Sequence, residues 1–191
     1  YNSGLTDMET WLITPPVVNT NGDKVLHFIS AKAYWTHTGN DKPLTVLAST
    51  DFDGTNFATA TWTALSPTLA DAGASDNAWV KSGSISLANF VGNVAIAFKY
   101  KGSNTESTTM RIDDVVVGKA GSSGGGGTAI TPVDSIHESF DNAVNYADIA
   151  IDGWTNIKVA GDRSWQGKVF KTDKYAQATG YNSGLTAMET W

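Results

Sequence analysis

The amino-acid sequence predicts an all-β fold, a jelly-roll β-sandwich. Three observations carry this expectation. Short runs rich in Val, Ile, Thr and aromatic residues recur along the chain, turn signals part them, and no segment keeps a helical period. The run Val94, Ile96, Phe98 and Tyr100 alternates with Ala95, Ala97 and Lys99, so one face of that strand is more apolar than the other. Many short strands at this spacing favour a sandwich over a parallel sheet.

Taken in order, the candidate strands are Trp11–Thr14, Lys24–Trp35, Leu44–Thr50, Thr59–Leu65, Ala78–Leu87, Asn93–Tyr100, Thr108–Val117, Ile136–Phe140, Trp154–Val159, Trp165–Lys171 and Tyr175–Thr179. The turn signals NGD, GNDKP, DFDG, SPT, GASDN and KGSN fall between these strands. Asn142–Ile151 has room for a helical turn. In MRIDDVVVG the apolar phase is even at Met110 and Ile112 and odd at Val115 and Val117. A strand of period two needs one extra residue to do that, so a bulge is expected at Asp113–Asp114.

Tyr1–Trp11 reads YNSGLTDMETW and Tyr181–Trp191 reads YNSGLTAMETW, two copies that differ only at Asp7 and Ala187. The stretch AGSSGGGGT, from Ala120 to Thr128, has the composition of a flexible coil. It stands between a segment that reads as a closing strand and one that reads as an opening strand. If Trp191 is joined to Leu12, the order runs without interruption from Ser135 to Trp191 and then from Leu12 to Gly118. The chain therefore reads as one domain in circularly permuted order, with one strand sequence at both termini. Residues 1–119 are the C-terminal part of the original order, 120–134 a Gly/Ser linker tying the original ends, and 135–191 the N-terminal part. An engineered permutation accounts for this. The alternative is a stretch of a natural array of near-identical tandem domains.

Composition narrows the function. With 19 acidic and 13 basic side chains the net charge is -6, and no basic stripe is present to neutralise phosphates, which argues against nucleic acid. No apolar run reaches the length of a membrane span. The absence of cysteine excludes disulfides and thiolate metal sites. No targeting segment is read at Tyr1, so a signal for the secreted or cell-surface location expected of the native parent would lie outside this chain.

In the reconstructed order, ESFDN (Glu138–Asn142), GWTN (Gly153–Asn156), DRSWQG (Asp162–Gly167) and ETWLITPP (Glu9–Pro16) are followed by VLHFISAKAYW, LTVLAST, VAIAFKYKG and MRIDDVVVG. This succession resembles the cleaved-adhesin and choice-of-anchor J type domains of Bacteroidetes surface proteins, with WLITPP and the terminal IDDV as its most specific pair. The resemblance implies a jelly roll of the galactose-binding or MAM-like kind that is non-catalytic, adhesive or glycan-associated, with calcium a frequent structural ion. The segment order departs from the family and matches only after permutation.

Candidate site residues follow. Carboxylate oxygens suit a hard cation such as calcium. In the jelly rolls that the sequence resembles the last strand lies near the first, so Asp113, Asp114, Glu138 and Asp141 come into question as metal ligands, and Asp162 joins them. The competing reading is that they are solvated or hydrogen-bonded turn residues. DFDG (Asp51–Gly54) lacks the later ligands of a calcium loop and reads as a hairpin turn. Sugar-binding sandwiches stack aromatic faces on pyranose rings, so Tyr34, Trp35, Trp62, Trp79 and Trp165 are the ligand-binding candidates. Tyr34 and Trp35 stand beside His37 and Asn40, and Trp154 is a further choice. Core packing competes for each Trp. Trp11 and Trp191 share one position and read as core.

No enzyme is expected. His27, His37 and His137 lie far apart, and GxSxG, HExxH and P-loop motifs are absent. The expected function is a binding module for a polysaccharide or surface glycan. One alternative is a chain built for strand exchange, self-assembly or switching, its native function incidental. A carbohydrate-active hydrolase using paired acids is the third. The Asp7/Ala187 difference removes a charge and an oxygen ligand from one copy. It admits a disabled contact, a bias in which copy enters the sheet, or an Asp able to form an isopeptide with Lys. A sandwich has one slot for the doubled strand, so one copy must be displaced, and self-association by exchange is expected.

Overall fold

The structure, a computed structural model, describes residues 7–38, 42–119 and 133–180. These form thirteen strands: β1 (Asp7–Ile13), β2 (Val17–Asn19), β3 (Lys24–Ala33), β4 (Leu44–Ser49), β5 (Thr63–Ala64), β6 (Val80–Lys81), β7 (Ile85–Ser86), β8 (Gly92–Ser103), β9 (Thr109–Lys119), β10 (Ile136–Glu138), β11 (Thr155–Ala160), β12 (Gln166–Phe170) and β13 (Asp173–Ala178). No helix occurs among the described residues.

Two antiparallel sheets pack face to face as a β-sandwich. The first runs β11-β1-β8-β4-β5, with β2 also on β8. The second runs β12-β13-β9-β3-β6, with β10 also on β9 and β7 on β3. Strands from both sides of the Gly/Ser stretch enter both sheets. β11 extends the first beside β1, while β10 and β13 share the edge of β9 opposite β3 in the second.

Alternation explains where the core sits. Val94, Ile96, Phe98 and Tyr100 of β8 are fully buried between the sheets, facing Leu26, Phe28 and Ile112 of the second sheet. The other face of β8 is also covered. Ala95 and Ala97 pack with Trp11, Ile13 and Leu47 into a small second core, closed by Phe52, Phe57 and Trp62. The segment expected as a strand over Thr59–Leu65 is for that reason mostly a folded loop, and only Thr63–Ala64 pairs with β4. Ala78–Leu87 likewise breaks into β6 and β7 around Gly83, whose φ of +74° takes the chain out of the extended conformation.

The bulge falls where the apolar phase changes. His27 pairs with Val116 and Ile29 with Asp113, so β9 uses one more residue than β3. Asp114 sits there with φ +49°. Val115 and Val117 thereby return to the core beside Ile112. Asn142–Ile151 forms turns and bends, with no helical turn.

The described part of the first copy of the doubled strand, Asp7–Trp11, lies in the first sheet. Asp7–Trp11 opens β1, held between β8 and β11. The second copy, with Ala187 and Trp191, lies outside the described residues, as does Asn40.

Candidate functional site

The outer face of the second sheet gathers the aromatic and polar side chains best placed to meet a ligand. In β13, Ala176 and Ala178 point into the core, so Tyr175 and Gln177 point outward. In β9, Met110 and Ile112 are core and Arg111 is outward. Register places Gln177 opposite Arg111 and Lys168 opposite Tyr175. Trp79, just before β6, completes the group. Its ring meets Tyr175 at 5.5 Å and 78°, an edge-to-face contact. The Arg111 guanidinium lies 5.1 Å over the Tyr175 ring, and its Nε donates to Gln177 Oε1 at 3.2 Å. Arg111 also donates to the Asn77 side chain.

Tyr175 is 3 % exposed on this outer face, so Trp79 and Arg111 form the surface above it. Lys168 Nζ sits 3.8 Å from the Tyr146 ring centre and donates to its hydroxyl at 2.6 Å. Tyr146 is 60 % exposed. At the other end Tyr34, 73 % exposed, takes φ +54°. Its backbone N–H donates to Asp76 Oδ2 at 3.3 Å, and Asp76 Oδ1 pairs with Lys32 at 2.7 Å. Left-handed backbone in a tyrosine is uncommon and is held here by tertiary contacts.

The sequence-predicted aromatics separate accordingly. Trp79 belongs to this face, and Tyr34 stands exposed just beyond β3. Trp35 is half-buried against the main core, its Nε1 donating to His37 O at 2.9 Å. Trp62 packs on Trp11 and Phe52 and donates to Phe57 O. Trp165 is a correction: it is 0 % exposed, the largest fully buried side chain, and has no face for a sugar. Sequence reasoning did not single out Tyr175, Arg111 and Tyr146, which sheet order brings to this face. The alternation of Tyr175 and Gln177 with Ala176 and Ala178 carried a signal for the first.

The predicted metal ligands lie around the bulge and β10. Glu138 pairs in register with Val115, which brings the opening and closing strands together as expected. Burial pushes the Asp113 carboxyl up to about 7, with the charges of Asp114, Asp173 and Asp141 adding to it while the Asp114 N–H opposes. Burial, with Asp141 adding, also raises Glu138, against a bond from the Phe140 N–H at 2.6 Å. Asp141 accepts from Ser139 at 2.8 Å. Asp162 is engaged in interactions within the fold. Among the described residues no three His, Asp or Glu side chains come together to hold a metal ion. The calcium expectation thus gains no support from the geometry and stays a proposal, tested by melting the protein in calcium and in chelator.

Asp113 gives a pH dependence whose direction is fixed. The unfolded carboxyl releases its proton near 4, and the folded one near 7. Between those values the folded state binds more protons, so stability falls as pH rises. Asp113→Asn is expected to flatten this decline and to raise Tm at pH 8. The gain is about 1–2 kcal/mol once solvent screening is allowed for. Melting curves at pH 4.5 and 8 check it, and an unchanged pH slope in the variant would count against a buried, proton-holding Asp113.

Beneath β10 lies a cleft of about 680 Å³, walled by Ile136, Phe140, Ile149 and Trp154 and reached by Glu138 and Asp148. Phe140 and Trp154 meet edge to face at 5.9 Å. Gly167 keeps one wall close: a Cβ there would lie 2.5 Å from Val144 O. Among the described residues no helix is long and apolar enough to cross a membrane. Compared with known proteins, the chain matches no protein-family model, and no curated protein matches it significantly.

Proposed function

We propose that the chain is a non-catalytic binding module of secreted or surface type, and that it holds glycan on the outer face of the second sheet. The carrying observation is the arrangement of Trp79 over Tyr175 with Arg111 and Gln177 beside them. An indole fixed by an edge-to-face partner offers an apolar surface for the C–H face of a pyranose. Arg111, Gln177 and Asn77 supply donors and acceptors for hydroxyls at its border. Arg111 and Lys168 add positive charge in a protein of net charge -6, which favours acidic sugars over neutral ones.

The jelly-roll ancestry and the permuted order belong to the same proposal. Their support is that Ile136 pairs with Val117, so the original ends meet where a Gly/Ser tie would join them. The resemblance to cleaved-adhesin and choice-of-anchor J domains also belongs here, as does the absence of catalysis.

The test is a panel of neutral and uronic-acid polysaccharides in affinity electrophoresis. Trp79→Ala is expected to weaken binding at least about tenfold, the ~1.4 kcal/mol of a single anchor. Loss on Trp154→Ala with Trp79→Ala unaffected would move the site to the cleft. Binding to no polysaccharide by the folded protein would end the glycan reading.

A further inference from the structure

The slot that holds β1 has a second fitting occupant within the same chain. β1 lies between β8 and β11, with Asp7 opposite Ser103, Trp11 opposite Lys99, and Trp11 opposite Ile157 on the other side. Met8, Thr10 and Trp11 are buried there. Thr10 Oγ1 donates to Ile157 O at 2.9 Å, and Trp11 Nε1 donates to Glu9 Oε1 at 2.7 Å. Glu9 in turn pairs with Lys99 at 3.2 Å and Lys101 at 3.5 Å. Met188, Glu189, Thr190 and Trp191 repeat these four side chains in the same order.

Gly180 lies beside the residue of β8 that faces the start of β1. The Gly180 N–H donates to the Tyr100 hydroxyl at 2.8 Å. A Cβ on Gly180 would lie 3.1 Å from the carbonyl oxygen of Ser103, the residue that pairs with Asp7. Tyr181–Thr186, which separate Gly180 from Ala187, reach roughly 20 Å when extended, more than this gap requires. The one differing position is exposed in the slot, so Asp and Ala fit it alike.

We propose that Tyr181–Trp191 competes with Tyr1–Trp11 for this slot in its own chain, so that the fold has two frames. In one, the backbone runs unbroken from Asp7 into Leu12. In the other it runs unbroken from Gly180 into Ala187, and the break falls between Trp191 and Leu12. Exchange within the chain is favoured over exchange between chains by counting. Each added molecule brings one slot and two strands, so pairing between chains leaves as many spare strands and costs association entropy. The tether at Gly180 raises the local concentration of its own copy.

The test uses Met8→Asp, Met188→Asp and the double variant of the full chain. Thermal melting, light scattering and hydrogen exchange are the measurements. Met8→Asp alone is expected to lower Tm by only a few degrees, because the second copy takes over. Met188→Asp alone should do the same or less. The double variant should lose far more than the sum, or fail to fold. In the Met8→Asp chain, amide protection should appear at residues 187–191. Three results would overturn the proposal: Met8→Asp as destabilised as the double variant, protection that stays at residues 7–11, or a Met8→Asp chain that folds only as a concentration-dependent dimer. The last would make a second copy of the chain the occupant.

Discussion

Trp165→Ala is expected to destabilise the fold by about 3–5 kcal/mol, the cost of emptying a large, fully enclosed aromatic site. Trp165 is 0 % exposed, and its indole Nε1 donates to Phe98 O at 3.2 Å across the sandwich. Its backbone is equally engaged. Trp165 N–H donates to Asn156 Oδ1, while Trp165 O accepts from Asn156 Nδ2 and from the Ile149 N–H. The surroundings therefore have little freedom to collapse into the space. For a chain of this size the loss corresponds to a Tm drop on the order of 10 °C. Trp165→Phe should cost less than half as much, since it keeps most of the apolar volume. A melting temperature for Trp165→Ala within 2 °C of the parent would contradict its place in the core. Glycan binding per folded molecule should be unchanged in the variant, which separates this Trp from Trp79.

The same residue shows how far the sequence could be read. Alternation in Asn93–Tyr100 located β8, and the phase change in MRIDDVVVG located the bulge, because both are local signals of period two. Val17–Asn19 escaped notice: three residues after Pro-Pro carry too little periodicity, and their strand character comes from pairing with β8. Thr59–Leu65 had strand composition, yet Phe57 and Trp62 pack on Trp11 and most of the segment folds over it as a loop. Tertiary packing overrode local propensity there.

The candidate site was less legible because its parts are distant in sequence. Trp79 and Tyr175 meet through sheet order, as do Arg111 and Gln177. Nothing local to Trp79 or Trp165 distinguishes an outward Trp from a core one. DRSWQG gave Trp165 a polar neighbourhood, and the structure places it behind those polar residues, bonded through Asn156. Tyr34 and Asp76 likewise meet only because the loop before β6 returns to the end of β3.

Asn19 supplies the second large effect, from a residue that stands just before the NGD turn signal and that sequence reasoning did not single out. It is 1 % exposed and makes three side-chain bonds. Nδ2 donates to Leu87 O at 2.9 Å and to Phe90 O at 2.7 Å, and Oδ1 accepts from the Lys24 N–H at 3.0 Å. It thus clips the turn between β2 and β3 to the segment between β7 and β8. Asn19→Ala removes all three bonds and leaves their backbone partners buried, so a loss of about 3 kcal/mol is expected. Asn19→Asp is the sharper variant. It keeps the acceptor for Lys24 but sets a carboxylate oxygen against two carbonyl oxygens. Burial and that repulsion favour the protonated acid, whose O–H can still donate to one of them. The folded-state pKa of the introduced acid is then raised above its unfolded value, and stability falls as pH rises through that window. At pH 7, Asn19→Asp should melt below Asn19→Ala; at pH 4 it should melt at or above it. Denaturant unfolding at the two pH values checks the crossing. Equal stability of the two variants at both pH values would mean that Leu87 O and Phe90 O do not face the side chain at this position.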